Sequence, residues 1–178
     1  MLKIINSKKM LIIDAIAAVV FVFLDQLTKY LTIRNLKGQS AKVLIDGVLE
    51  FVYLENRGSA FGMFQGQRLF ILLIDAVFMA VVIFFLLKLP SDPKFMKVNV
   101  LMTMILAGGI GNMADRLRFG FVVDFISFVL INYPVFNVAD IYIVVASFGL
   151  LILFMFCYTE EDLSFLEFHK KNEEDNNG

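Results

Sequence analysis

Residues 138–158 read VADIYIVVASFGLLILFMFCY. Beyond Asp140 the run carries no charge, and an uncharged apolar run of about 20 residues is what a helix needs to cross the hydrocarbon core of a bilayer. The residues just upstream, Pro134-Val135-Phe136-Asn137, supply its start. Asn137 is a strong N-cap, and Asp140, three residues on, completes a capping-box spacing. The segment therefore reads as a membrane helix beginning at Val138, with an acid in its first turn.

Working outward, three further runs have the same character: residues 10–31, 69–89 and 95–114. The third is short unless it starts near Phe95. The chain is 59% hydrophobic with a mean hydropathy of +0.77, above the roughly half-apolar content of a soluble domain. The expected fold class is an all-α polytopic membrane protein with four transmembrane helices. Residues 1–158 form one domain, and residues 159–178 form a polar, acidic, mobile tail. Lys3, Lys8 and Lys9 precede the first run as they would in a secretory signal peptide. That run is too long for one and lacks a small-residue cleavage site after it, so it reads as a retained helix.

Four spans return the chain to its starting side. Lys8, Lys9, Lys88, Lys94 and Lys97 crowd the span ends on that side, which places both termini in the cytoplasm. In the connection between helices 1 and 2, Val43–Ile45 and Val48–Tyr53 read as two short strands about the turn Asp46-Gly47. They form a small β-unit on the opposite, extracytoplasmic side. The glycine-spaced stretch Asn56–Phe64 is expected on the bilayer surface.

Composition also excludes chemistry. The net charge of −1 predicts no nucleic-acid partner. The chain has one histidine, His169 in the tail, and one cysteine, Cys157. That leaves no material for Ser–His–Asp or Cys–His catalysis, for a zinc site on paired histidines, or for an internal disulfide. No metal or cofactor is expected.

What remains is a set of charges near the same ends of the spans: Asp25, Arg116, Asp124 and Asp140. Ionisable groups in such places are costly and are functional suspects. Asp25 has Lys29 at i+4, the spacing of an ion pair that ties helix 1 to a neighbour. Helix 3 ends in Ala107-Gly108-Gly109-Ile110-Gly111-Asn112-Met113-Ala114-Asp115-Arg116, where small residues permit close helix approach. Arg116 suits a helix C-terminus. Asp115 does not, and needs a partner such as Arg116 or Arg118. Asp124 is framed by Val122, Val123 and Phe125, so burial would raise its pKa. If Asp124 and Asp140 converge, the pair holds one proton between them. One member can then take a proton from water while the other donates to a carbonyl oxygen, which hydrolyses an amide without metal or histidine. A proton or cation relay in a transporter would instead spread polar residues through the depth of several spans. A non-catalytic subunit would use the acids as structural ties.

Four blocks in order resemble the lipoprotein signal peptidases, or signal peptidase II. They are Asp25-Gln26-Leu27-Thr28-Lys29; Asn56 to Gly62; Gly108 to Arg116 followed by Gly120, Val123, Asp124 and Phe125; and Phe136 to Asp140. The resemblance implies a bacterial inner-membrane aspartic peptidase that removes signal peptides from diacylglyceryl-prolipoproteins, cutting on the amino side of the lipidated cysteine. It implies Asp124 and Asp140 as the catalytic pair. Asn56, Gly58, Asn112, Arg116 and Asn137 would support the pair or contact substrate, and Asp25, Lys29 and Asp115 would be structural groups nearby. It further implies that the β-unit is an external cradle, that substrate arrives from membrane lipid, that globomycin-type inhibitors act, and that the enzyme is a monomer. Asp14 and Asp75 match no block and read as structural or snorkelling groups.

Overall fold

The structure, a computed structural model, describes residues 7–59 and 63–166. Among the described residues four helices are long and apolar enough to cross a membrane: α1 (Ser7–Leu36), α2 (Arg68–Lys88), α3 (Met96–Phe119) and α4 (Val138–Phe156). Of the tail expected from residue 159, Glu161–Leu166 form a 3-10 helix, with Asp162 paired to Lys94 at 2.6 Å. His169 and the rest of the tail lie outside the described residues.

The third helix is the hub. In its most apolar 18-residue stretch 56% of the residues are buried, against 6–11% in the corresponding stretches of the other three. Composition explains the order. α1, α2 and α4 turn large apolar side chains such as Phe23, Leu69 and Phe148 outward, as lipid-facing helices must. α3 carries Asn99, Thr103, Asn112, Asp115 and Arg116, all buried. In a bilayer such groups find partners only on other helices, so the most polar helix goes to the centre.

Three glycines let it do so. A Cβ at Gly108 would lie 2.6 Å from the Ala139 carbonyl oxygen of α4. One at Gly109 would lie 3.2 Å from Met79 of α2, and one at Gly111 would collide with the Asp25 carboxylate of α1. Successive positions on a helix turn by about 100°. These three residues therefore face three different neighbours; Gly108 and Gly111 must lack a side chain for α4 and α1 to close in, and Gly109 leaves room for Met79.

α3 continues past the expected end at residue 114 and stops at Gly120, whose φ of +83° and N–H bond to the Arg116 carbonyl (3.1 Å) make a left-handed cap. α1 likewise runs past residue 31 to Leu36. The extension of α3 keeps Asp115, Arg116 and Arg118 in helix, and that of α1 adds Arg34.

Outside the bundle lies a three-stranded antiparallel sheet in the order β1 (Lys42–Ile45), β2 (Leu49–Asn56), β3 (Val122–Phe128). Two of these strands lie in the connection between helices 1 and 2, where the sequence places its β-unit. The third strand comes from the α3–α4 connection, and β2 extends beyond Tyr53 to Asn56. Pairing of Leu54 with Asp124 and of Asn56 with Val122 brings the two connections together. After β3 the chain folds back. Phe136 accepts from the N–H groups of Phe125 (3.0 Å) and Ile126 (2.8 Å) and donates to Ile126 O (3.0 Å). This bridge stops one residue short of Asn137, so it sets the start of α4 beside Asp124.

Candidate active site

The site grows from the same helical arithmetic as the glycines. Asn112 is four residues after Gly108, Asp115 four after Gly111, and Arg116 seven after Gly109. Each polar group therefore faces the helix that its glycine admitted. Asn112 reaches Asp140 of α4 (2.9 Å), Asp115 reaches Lys29 of α1 (3.0 Å), and Arg116 reaches Asp75 of α2 (3.0 Å).

Lys29 is the buried cation at the centre. Its ammonium lies 2.9 Å from Asp25 Oδ2 and 3.0 Å from Asp115 Oδ2, and it donates to Asn112 Oδ1 at 2.9 Å. Three N–H bonds thus meet three acceptors. The expected Asp25–Lys29 pair is present. The expected partner of Asp115 is not Arg116 or Arg118. α3 is still helical there, so Asp115 points to α1, where Lys29 and Gln26 meet it, and its Oδ2 also accepts from Val123 N–H at 3.1 Å. Asp25 Oδ1 accepts from Ala139 N–H at 3.0 Å. The buried acids thereby tie the starts of β3 and α4 to the bundle.

From Lys29 the polarity propagates without ambiguity. The ammonium requires Asn112 to present its oxygen, so the Asn112 amide nitrogen must point to Asp140 Oδ1. Asn137 caps α4: its Oδ1 accepts from Asp140 N–H at 3.1 Å, while Asp140 Oδ2 accepts from Asn137 N–H at 3.0 Å. The Asn137 amide nitrogen is then left to donate to Asp124 Oδ1 (2.6 Å) and Asn112 Oδ1 (3.1 Å). Asn56 closes the other side, donating to Asp124 Oδ2 at 2.8 Å while its oxygen accepts from Gly58 N–H at 3.0 Å. The two acids are thus joined through shared amides. Among the described residues no buried side-chain N or O lacks a partner, as a dry polar network requires.

Asp124 is 1% exposed. Burial chiefly, and then the charge of Asp140, push its carboxyl up from 3.8 to about 6, against the donors Asn56 and Asn137 and the charge of Lys29. An acid whose folded pKa is raised binds more protons folded than unfolded, so stability falls as pH rises between the two values. Here the window is about pH 4 to 6, and the loss is about 3 kcal/mol. Asp124→Asn removes this dependence. Its melting temperature relative to the unaltered protein is expected to be higher at pH 7 than at pH 4. An equal difference at both values would show that Asp124 is not desolvated.

Asp124 and Asp140 both line a cavity of about 590 Å³, together with Asn56, Asn112 and Arg116. Phe78 of α2 and Ile143 and Val144 of α4 form its apolar side. α2 and α4 both pack on α3 and scarcely touch each other, and the cavity lies between them, under the residues around Asn56 and Phe136.

All ten sequence-selected residues, Asp25, Lys29, Asn56, Gly58, Asn112, Asp115, Arg116, Asp124, Asn137 and Asp140, fall in this one network. Two were not singled out. Gln26 binds Asp25, Asp115 and the Gly111 carbonyl, and its place beside Asp25 was the available signal. Asp75, which the sequence offers only as a structural or snorkelling group, pairs with Arg116, and its position in an otherwise apolar helix is the signal. Asp14 accepts from Asn99, away from the site.

Four membrane-length helices, with two linked carboxylates beside a cavity between α2 and α4, define a polytopic membrane protein with a candidate site at one end of its bundle. Residues 16–157 match the family model described as Signal peptidase (SPase) II. The chain belongs to the signal peptidase II family and is an aspartic peptidase. It is 45% identical to the lipoprotein signal peptidase of Caldanaerobacter subterraneus subsp. tengcongensis over 144 residues, 80% of this chain and 96% of that protein. It is 36% identical to that of Clostridium tetani, over 83% of this chain and 94% of that protein. A solved bacterial membrane enzyme, obtained by the in meso method at 1.9 Å, superimposes with a TM-score of 0.71. Its identity is 27%, over 82% of this chain and 94% of the other.

Proposed function

We propose that this multi-pass protein of the bacterial inner membrane removes signal peptides from prolipoproteins, cleaving on the amino side of a diacylglyceryl-modified cysteine. The observation that carries the reading is the linkage of Asp124 and Asp140 through Asn112 and Asn137 at a cavity walled by apolar residues of α2 and α4. A substrate that is itself lipidated can reach such a site sideways, without leaving the bilayer.

Asp140, at the positive end of α4 and capped by Asn137, takes a proton from water as the oxygen attacks the scissile carbonyl carbon. Asp124, whose carboxyl is pushed up to about 6 by burial and by the charge of Asp140, carries the proton that the pair shares and gives it to the carbonyl oxygen. As the tetrahedral species collapses, the proton on Asp140 passes to the departing amine and that of the hydroxyl returns to Asp124, so the pair ends as it began. Asn56 and Asn137 hold Asp124, and Asn112 holds Asp140. The site lies where α1 and α3 end and α2 and α4 begin. With cytoplasmic termini, that is the extracytoplasmic face, and the sheet forms a cradle above it. The enzyme acts as a monomer and is sensitive to globomycin-type inhibitors.

Purified full-length protein, given a precursor with or without the diacylglyceryl group, tests this. Cleavage of the lipidated form is expected to be faster by about tenfold or more, because binding energy from remote parts of a substrate is used at the reacting centre. Equal rates would remove the lipid from the recognition scheme, and absence of cleavage in both would remove the function.

A further inference from the structure

Asp75 lies two turns into α2, in an otherwise uncharged run from Leu69 to Leu87. Such a residue in a membrane helix calls for a reason. Its carboxylate, 23% exposed and on the cavity wall, meets Arg116 Nη1 at 3.0 Å. The other arm of the same guanidinium, Nη2, donates to the Gly58 carbonyl at 3.2 Å. Gly58 is therefore held on both faces: its carbonyl by Arg116, its N–H by the Asn56 side-chain oxygen at 3.0 Å. Asn56, so oriented, turns its amide nitrogen onto Asp124 at 2.8 Å. A continuous series of bonds leads from α2 to the candidate catalytic acid.

We infer that Asp75 is a positioning residue for the peptidase: it fixes the plane of Arg116, which pins the Gly58 peptide and thereby aims Asn56 at Asp124. The planar fork explains why Arg serves here. Its two nitrogens project at a fixed angle, so locking one arm on a carboxylate locks the other on the carbonyl. Without Asp75 the guanidinium keeps its charge but loses its anchor. Gly58 and Asn56 then sample other orientations, and small misplacements of catalytic groups cost large factors in rate. Asp75 does not itself touch the reacting atoms.

The inference rests on Asp124 being catalytic, and Asp124→Asn in the same assay separates the two ideas. With purified full-length protein and a lipidated precursor peptide, Asp75→Ala is expected to lower kcat per folded molecule by about tenfold while KM changes by less than about threefold. Asp75→Asn keeps an oxygen acceptor for Arg116 Nη1 and is expected to restore kcat to within about threefold of the unaltered enzyme. An unchanged kcat in Asp75→Ala, a loss confined to KM, or equal losses in the Ala and Asn variants would each overturn the positioning role. If Asp124→Asn still cleaves, the proposed mechanism fails first, whatever Asp75 does.

Discussion

Replacing either Asp124 or Asp140 by Asn is expected to lower cleavage of a lipidated precursor by about a thousandfold, with the protein still folded and inserted. The substitution is nearly isosteric, so packing around residue 124, which is 1% exposed, stays filled. What is lost is proton traffic. An amide at 140 cannot take a proton from water. An amide at 124 cannot give one to a carbonyl oxygen without becoming an unstable imidate. At 140 the Asn oxygen still accepts from the Asn137 N–H, so the capping interaction survives on one arm. Circular dichroism and membrane-fraction yield report folding, and precursor cleavage reports chemistry. Persistent cleavage in either variant would end the two-acid mechanism. Joint loss of cleavage and insertion would assign the residue to structure instead.

The second large effect is expected at Lys29. Lys29→Met should destabilise the protein by about 3–5 kcal/mol, the range for breaking a buried ion pair from one side. Asp25, Asp115 and Lys29 are at most 2% exposed, so removing the ammonium strands two carboxylates away from water. Lys29→Arg is expected to rescue little of this. The three acceptors, Asp25 Oδ2, Asp115 Oδ2 and Asn112 Oδ1, surround a single nitrogen. A planar guanidinium cannot direct three bonds from one nitrogen to them. Thermal melts in detergent check both variants, and a loss below about 1 kcal/mol in Lys29→Met would place the cluster in contact with water.

Much of this was legible in the sequence because bilayers reduce the options. Apolar runs of about 20 residues can be little else than spanning helices, and acids within them stand out. Asn137 and Asp140 announced their capping box through spacing alone, and the box is present. The third strand was missed although Val122 to Phe128 is rich in β-branched and aromatic residues. It interleaves with Asp124 and Ser127 and pairs with a strand far away in the chain, so local pattern gave no partner for it. The Asp115 partner was misassigned for a similar reason. Arg116 and Arg118 are close in sequence, but helix geometry turns Asp115 toward α1. Asp75 was visible as an oddity, yet its Arg116 partner is fixed only by how α2 meets α3.

Position 137 does two jobs with one side chain. Its oxygen begins a helix, and its nitrogen steadies the acid that the chemistry depends on. Aspartate would start the helix equally well but would set an anion against an anion. Serine would start it too, with nothing long enough to reach across. Architecture and reactivity are therefore not separable modules at this residue, and a redesign of the fourth helix that respects every rule of helix formation can still silence the enzyme.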